Sequence, residues 1–109
     1  MSTVTVSIGR RIGTGDNLPT LEWRRFRAEV EGAVRDAASI VYFAGLGGGV
    51  FEGVFEESAT WVADVDPAAV PALDARLARY AAHYGQESIA RTVGETALVP
   101  AATRKGVAA

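Results

Sequence analysis

The sequence predicts an α+β domain in which two helices cover one face of an antiparallel sheet. Three observations support this prediction: stretches that alternate polar and apolar residues, two stretches with apolar residues at spacings of three and four, and the order in which these stretches occur. Alternation is typical of a strand with one buried face, and the other spacing is typical of an amphipathic helix. The resulting order, β-α-β-β-α-β, indicates a ferredoxin-like sheet with both helices on one face and an open face suited to dimerisation.

The first strand is predicted over Thr3 to Ile8, where threonine and serine alternate with valine and isoleucine. A turn-rich segment follows it. The first helix is predicted from Leu21 to about Ala38, with Thr20 as its N-cap and an apolar stripe that includes Trp23 and Phe26.

Two further strands are predicted in the middle of the chain. The segment from Ser39 to Ala44 is rich in β-branched and aromatic residues, and Gly45 to Gly49 is interpreted as a turn or bulge. The central strand is expected over Phe51 to Val65, in a hairpin that Gly53 interrupts.

The second helix is predicted to begin near Asp66-Pro67, and its apolar stripe runs from Val70 to Tyr84. Gly85 is placed to end this helix in a left-handed conformation. The last strand is expected over Gln86 to Val93. Residues 1–100 are therefore expected to form a single domain, and residues 101–109 a flexible tail.

Alternation along the central strand separates two adjacent carboxylates. Glu57 falls on the core side with Trp61, and Glu56 falls on the open face. An ionised Glu57 on an apolar side needs a partner, and Arg91 of the last strand is the expected one. A one-residue bulge near Gly53 would exchange the two roles, and the sequence leaves that alternative open.

The open face is expected to be rich in hydroxyl groups around Glu56. Such a face can form a wet dimer interface or hold a small polar ligand. Arg10 and Arg11, in a glycine-containing loop, form a candidate anion cradle. The candidate ligand-binding residues are Arg10, Arg11, Glu56, Ser58, Thr60, Ser88 and Arg91.

Three residues are candidates for catalysis. Glu56 or Glu57 would act as a general acid or base, and His83, the only histidine, as a general base. A structural or solvated role is the simpler interpretation of each. Because the chain has no cysteine and one histidine, cysteine nucleophiles and histidine-rich metal centres are excluded, and no metal or cofactor is expected.

Charge and hydropathy narrow the classes of partner. A net charge of −2 gives no long-range attraction for nucleic acid or an anionic membrane. No apolar run approaches the roughly 18–20 residues that a membrane-spanning helix needs, and the N-terminus lacks the pattern of a secretion signal. We therefore expect a cytoplasmic protein that binds neither nucleic acid nor membranes.

Several short motifs resemble those of a known group of proteins. They are Trp-x-x-Phe in the first helix, the glycine-rich segment, Glu57-Ser58 and Gln86-Glu87-Ser88. On these motifs the stretch from Val4 to Val93 resembles a family of small bacterial and phage α+β proteins that is classed as a domain of unknown function. The resemblance implies a fold and no activity.

The sequence leaves three functions open. The first is a non-enzymatic accessory domain that forms a homo-oligomer, expected to be a dimer, with a small polar pocket on the open face. The second is a protein that binds or sequesters a small anion or nucleotide through Arg10 and Arg11. The third is an enzyme that uses Glu56 or Glu57 as its general acid or base.

Overall fold

A computed structural model of the chain describes residues 2–102. It confirms the coarser prediction, an α+β domain with a four-stranded antiparallel sheet and two helices. The strands lie across the sheet in the order β2-β3-β1-β4. The elements are β1 (Ser2–Gly9), α1 (Thr20–Ala37), β2 (Ala38–Phe51), β3 (Val54–Val65), a 3-10 turn (Pro67–Ala69), α2 (Val70–His83) and β4 (Ala90–Gly94). Most of the tail predicted over residues 101–109 lies outside the described residues.

Both helices pack on one face of the sheet, where they form the core with alternate residues of β1 and β3. The alternation predicted the buried side of β1 correctly, because Val4, Val6 and Ile8 are all buried there. The rest of the core comes from Ala59, Trp61, Ala63 and Val65 of β3, from Trp23, Phe26, Val30, Ala33 and Val34 of α1, and from Leu73 and Leu77 of α2. Each large apolar side chain buried in this way contributes roughly 1.5–3 kcal/mol of transfer free energy.

Helix α1 begins one residue earlier than predicted and has no side-chain cap. Pro19 occupies the N-cap position and Thr20 is the first helical residue, so the prediction of Thr20 as N-cap is wrong. The Thr20 hydroxyl instead accepts a hydrogen bond from Arg10 Nη2 at 3.3 Å. At its other end α1 passes directly into β2, because Ala37 ends the helix and Ala38 begins the strand.

The glycine-rich segment is part of a strand, so its prediction as a turn is wrong. Gly45 to Gly49 continue β2 and pair with Thr60 to Glu56 of β3. The chain reverses at Glu52-Gly53, where φ is 50° and 77°. Positive φ at both central residues is what a tight two-residue hairpin turn requires.

Aromatic rings cover two glycines of this hairpin. A Cβ added at Gly45 would meet the ring of Phe43, and one added at Gly48 would meet the ring of Phe55. The rings shield backbone that glycine leaves bare, which is a known way of stabilising glycine within a sheet. The hairpin therefore stays extended despite its four glycines between positions 45 and 49.

The end of α2 matches the prediction, and the strand after it does not. Gly85 adopts φ 69°, and the Gln86 N–H donates to the Ala81 carbonyl at 2.8 Å, as in a left-handed helix C-terminus. Residues 86–89 then form a connection, so β4 begins at Ala90 rather than at Gln86.

Tyr84 makes the stability of the fold sensitive to alkaline pH. Its ring stacks on Phe26 with centroids 4.8 Å apart. Burial, followed by a hydrogen bond to Glu29, raises the Tyr84 pKa above its ordinary value of 10.0. The stabilisation from this neutral phenol is therefore complete below pH 10.0 and is lost as pH rises through the raised folded-state pKa.

We expect the melting temperature of the protein to fall more steeply than that of Tyr84→Phe between about pH 9 and pH 11. The phenylalanine variant keeps the stacking on Phe26 and has no hydroxyl to ionise. Melting curves at several pH values, followed by circular dichroism, measure the difference. Parallel losses in the two proteins would contradict the prediction.

Candidate functional site

The hairpin of β2 and β3 extends past the end of β1. The ladder between β1 and β3 stops at the pair Gly9–Ser58, whereas β2 and β3 stay paired as far as Phe51–Val54. We call residues 48–57 the hairpin arm. Within residues 2–102 no third strand borders the arm, so its apolar side chains are exposed: Val50 is 74% exposed and Phe55 is 66% exposed.

Glu56 lies on the open face, as predicted, because no bulge shifts β3 against β1. Its Oε2 accepts a hydrogen bond from the Arg11 backbone N–H at 3.0 Å. The carboxylate lies over Gly9, where an added Cβ would overlap it. Because residue 9 is a glycine, the Glu56 carboxylate has room to bind the Arg11 N–H at the start of the loop that follows β1.

Glu57 lies on the opposite side of β3 and pairs with Arg10, so the prediction that it pairs with Arg91 is wrong. Arg10 Nη1 donates to Glu57 Oε2 at 3.0 Å, and the Glu57 side chain is 52% exposed. At Glu57 the hairpin arm no longer packs against the helices, so this side chain is exposed although it lies on the core side of β3. Arg91 pairs across β1 with Val6, and Val6 pairs with Trp61, which places Arg91 four residues along the sheet from Glu57.

Arg91 binds Asp74 of α2 instead. Its Nε donates to Asp74 Oδ1 at 2.8 Å and its Nη2 donates to Oδ2 at 2.5 Å, a two-point guanidinium–carboxylate contact. The hydrogen bonds that Arg91 donates to Asp74 raise the Arg91 pKa. The contact ties the edge strand β4 to the helix layer.

Arg10 and Arg11, the candidate anion cradle, donate hydrogen bonds that hold the loop between β1 and α1 in place. Besides its bond to Glu57, Arg10 donates from Nε to the Leu18 carbonyl at 2.8 Å and from Nη2 to Thr20. Arg11 donates from Nε to the Gly15 carbonyl at 3.3 Å. These bonds connect the loop to β3 and to the first turn of α1.

The middle of the open face is polar, and its β2 side is apolar. Thr60 and Ser58 lie there as predicted, and the Thr60 hydroxyl is 2.9 Å from that of Ser7 on β1. On β2, Ile40 and Phe43 pair with open-face residues of β3 and are about half exposed. The face thus combines a hydroxyl row with an apolar stripe.

Ser88 does not lie on the open face, because β4 begins two residues after it. With Arg91 it lines a groove of about 470 Å³ between α2 and the connection that leads to β4. The Nε2 of Gln86, another lining residue, is buried without a hydrogen-bond partner. The Gln-Glu-Ser motif is the feature of the sequence that coincides with this groove.

A second groove, of about 420 Å³, lies between α1 and the base of the hairpin. Its apolar wall includes Leu46, Ala44 and Trp61, and two arginines of α1, Arg24 and Arg27, line the other side. The Arg27 guanidinium lies 5.3 Å from the centre of the Trp23 ring, and its Nε is buried without a partner. Sequence patterns did not indicate this groove.

The three candidate catalytic residues do not come together. His83 is exposed at the end of α2, where its ring lies edge-on to Tyr84 with centroids 4.8 Å apart. The helix layer that carries it covers the face of the sheet opposite to Glu56. Within residues 2–102, no cluster of three metal-ligating side chains forms and no helix is both long and apolar enough to cross a membrane.

Comparisons of the chain with protein-family models, with curated proteins and with solved structures find no match. The resemblance to a family of unknown function therefore stays a prediction.

Proposed function

We propose that the protein is a non-enzymatic domain that forms a homo-oligomer through its β2–β3 hairpin. The observation that carries this proposal is where its exposed apolar surface lies. Among the described residues, seven of the eleven exposed large apolar side chains belong to this hairpin. They are Ile40, Tyr42, Phe43, Leu46, Val50, Val54 and Phe55. Exposed apolar side chains concentrated in one hairpin are typical of an interaction site.

The length and charge of the hairpin also support self-association. Its two strands stay paired to Phe51–Val54, beyond the last pair of β1 with β3 at Gly9–Ser58. Strand β2 contains no charged residue over its fourteen positions. Two copies can therefore bring these strands together without opposing like charges.

The two alternative functions have less support. An anion or nucleotide site at Arg10 and Arg11 would need free guanidinium groups there. The guanidinium of Arg10 donates to three acceptors of the chain itself, and that of Arg11 donates to the Gly15 carbonyl. An enzyme would need a carboxylate and a base at one place, whereas Glu56 and His83 lie on opposite sides of the sheet. The groove beside Gln86 is the feature that best suits a small polar ligand.

The finer fold class and the cellular location belong to the same proposal. The position of β1 between β3 and β4, with both helices on one face, supports a ferredoxin-like assignment. A cytoplasmic homodimer without nucleic-acid or membrane partners remains what we propose from the composition.

Light scattering tests self-association, and we expect a mass of twice 11.4 kDa at micromolar concentration. Phe43→Asp should raise the dissociation constant at least about tenfold, because it places a charge where an aromatic side chain is buried. Leu98→Asp is the matched control, since Leu98 is 87% exposed and lies after the last strand. A wild-type monomer at about 100 µM, or equal effects of the two variants, would contradict the proposal.

A further inference from the structure

Within residues 2–102, no strand pairs with the outer edge of β2 from Phe43 to Phe51, and this edge lacks most of the usual protection against strand pairing. The fourteen residues of β2 include neither charge nor proline, and only two register shifts, near Ser39 and Tyr42, interrupt its regularity. Natural edge strands are ordinarily kept short, charged or covered. The opposite edge follows that rule, because β4 has five residues and carries Arg91 bound to Asp74.

The regular part of β2 is open to the approach of another backbone. An added Cβ would meet nothing within 4 Å at Gly49, and at Gly47 only the Ser58 hydroxyl at 3.9 Å. Glycine in a strand often marks a position where a second backbone comes close. From Phe43 onward the pairing with β3 has no further shift, so the edge is straight enough to continue a sheet.

Two arginines of the groove beside α1 lack an acceptor among residues 2–102. The Nε of Arg27 is buried over the Trp23 ring and makes no hydrogen bond in that part of the chain. Arg24 lines the same groove and forms no ion pair within residues 2–102. Burying an N–H group without an acceptor costs free energy, and the Glu31 carboxylate that also lines the groove already accepts from Arg35 and Trp61. The groove therefore suits an occupant that brings a further carboxylate on an apolar support.

The tip of the hairpin arm carries a carboxylate on an apolar surface. Glu52 is exposed at the turn, and no ion pair involves it within the described part of the chain. The exposed side chains of Val50, Val54 and Phe55 surround the turn along the two strands. The arm thus presents one carboxylate on an apolar tip, which is complementary to the arginines and apolar wall of the groove.

We propose that two copies pair their β2 edges antiparallel about a two-fold axis, and that the tip of each arm lies in the α1 groove of the other copy. An axis at Gly47 sets Val50 of one copy beside Ala44 of the other, and Ala44 lines the groove. Glu52 then reaches Arg24 and Arg27 of the second copy. This inference deepens the proposed homo-oligomer and rests on it.

A second copy of the chain fits this surface better than an unrelated partner. One copy carries both the tip and the groove, so a two-fold axis makes the contact twice and closes the assembly. Pairing from Phe43 to Phe51 spans about nine residues, or roughly 30 Å of strand. Stable dimers bury about 800 Å² per partner, and in this arrangement the paired strands and the two groove contacts together supply the interface.

Charge reversal tests the tip-to-groove contact. We expect Glu52→Arg and Arg24→Glu each to raise the dimer dissociation constant about tenfold in sedimentation equilibrium, and the double variant to return to within about threefold of wild type. Both positions are exposed, so the monomer should keep its fold, and circular dichroism checks this. Glu95→Arg and Arg25→Glu are matched controls, because neither residue lines the groove.

The outcomes separate this inference from the proposed function. Weaker dimerisation in both single variants, with recovery in the double variant, supports the arrangement in which each tip lies in the groove of the other copy. A stable dimer that responds to neither reversal, or a double variant as weak as the product of the singles, overturns the arrangement and leaves the homo-oligomer standing. A wild-type monomer overturns both.

Discussion

Replacing Phe26 by alanine is expected to lower the free energy of unfolding by about 3–5 kcal/mol. Phe26 is fully buried, stacks on Tyr84 at 4.8 Å and meets Trp23 edge-on at 6.2 Å. It joins α1 to the end of α2, so its removal leaves a cavity between the two helices. Urea unfolding at a fixed protein concentration measures the loss, because self-association would make the midpoint depend on concentration.

Leu21→Ala is the control for this prediction. Leu21 belongs to the same helix but is 58% exposed. We expect it to change the unfolding free energy by no more than about 0.5 kcal/mol. A loss below about 1 kcal/mol for Phe26→Ala would mean that the helices repack around the cavity, contrary to our expectation.

The second large effect is expected at Arg10. Replacing Arg10 by methionine should lower the free energy of unfolding by about 2–3 kcal/mol. Methionine keeps much of the apolar stem and removes all the donors. The carbonyl of Leu18, a buried residue, then loses its partner, as does the hydroxyl of Thr20. The same urea titration measures this loss.

Two controls separate the hydrogen bonds of Arg10 from its ion pair. Glu57→Gln removes only the ion pair, and because Glu57 is 52% exposed, we expect a cost below about 1 kcal/mol. Arg79→Met replaces an exposed arginine of α2 and should be nearly neutral. If Glu57→Gln lowers the free energy of unfolding as much as Arg10→Met does, the stabilisation from Arg10 comes from its ion pair and not from its hydrogen bonds to the loop.

The core could be predicted from the sequence because each of its elements has a clear period. Alternation identified the buried side of β1, and the three-four spacing identified Trp23 and Phe26 as buried residues of α1. The segment from Gly45 to Gly49 could not be assigned in this way. Glycine carries no side-chain pattern, and these residues become a strand only through pairing with Thr60 to Glu56.

The candidate site could be predicted only as far as local geometry reaches. Alternation placed Glu56 and Glu57 on opposite sides of one strand, and the structure agrees. The partner of Glu57 depends on which strands are neighbours and at what register, and no local pattern contains that information. For the same reason Arg91 was assigned to the wrong carboxylate.

The passage from α1 into β2 without a connecting loop has a mechanical consequence. Ala37 is helical and Ala38 is already paired with Val65, while the Ala38 N–H still bonds to the Val34 carbonyl. Ala38 thus belongs to the hydrogen bonding of both elements. A rotation of β2 against α1 must therefore break the bond from Ala38 to Val34 or be taken up at the register shifts near Ser39 and Tyr42.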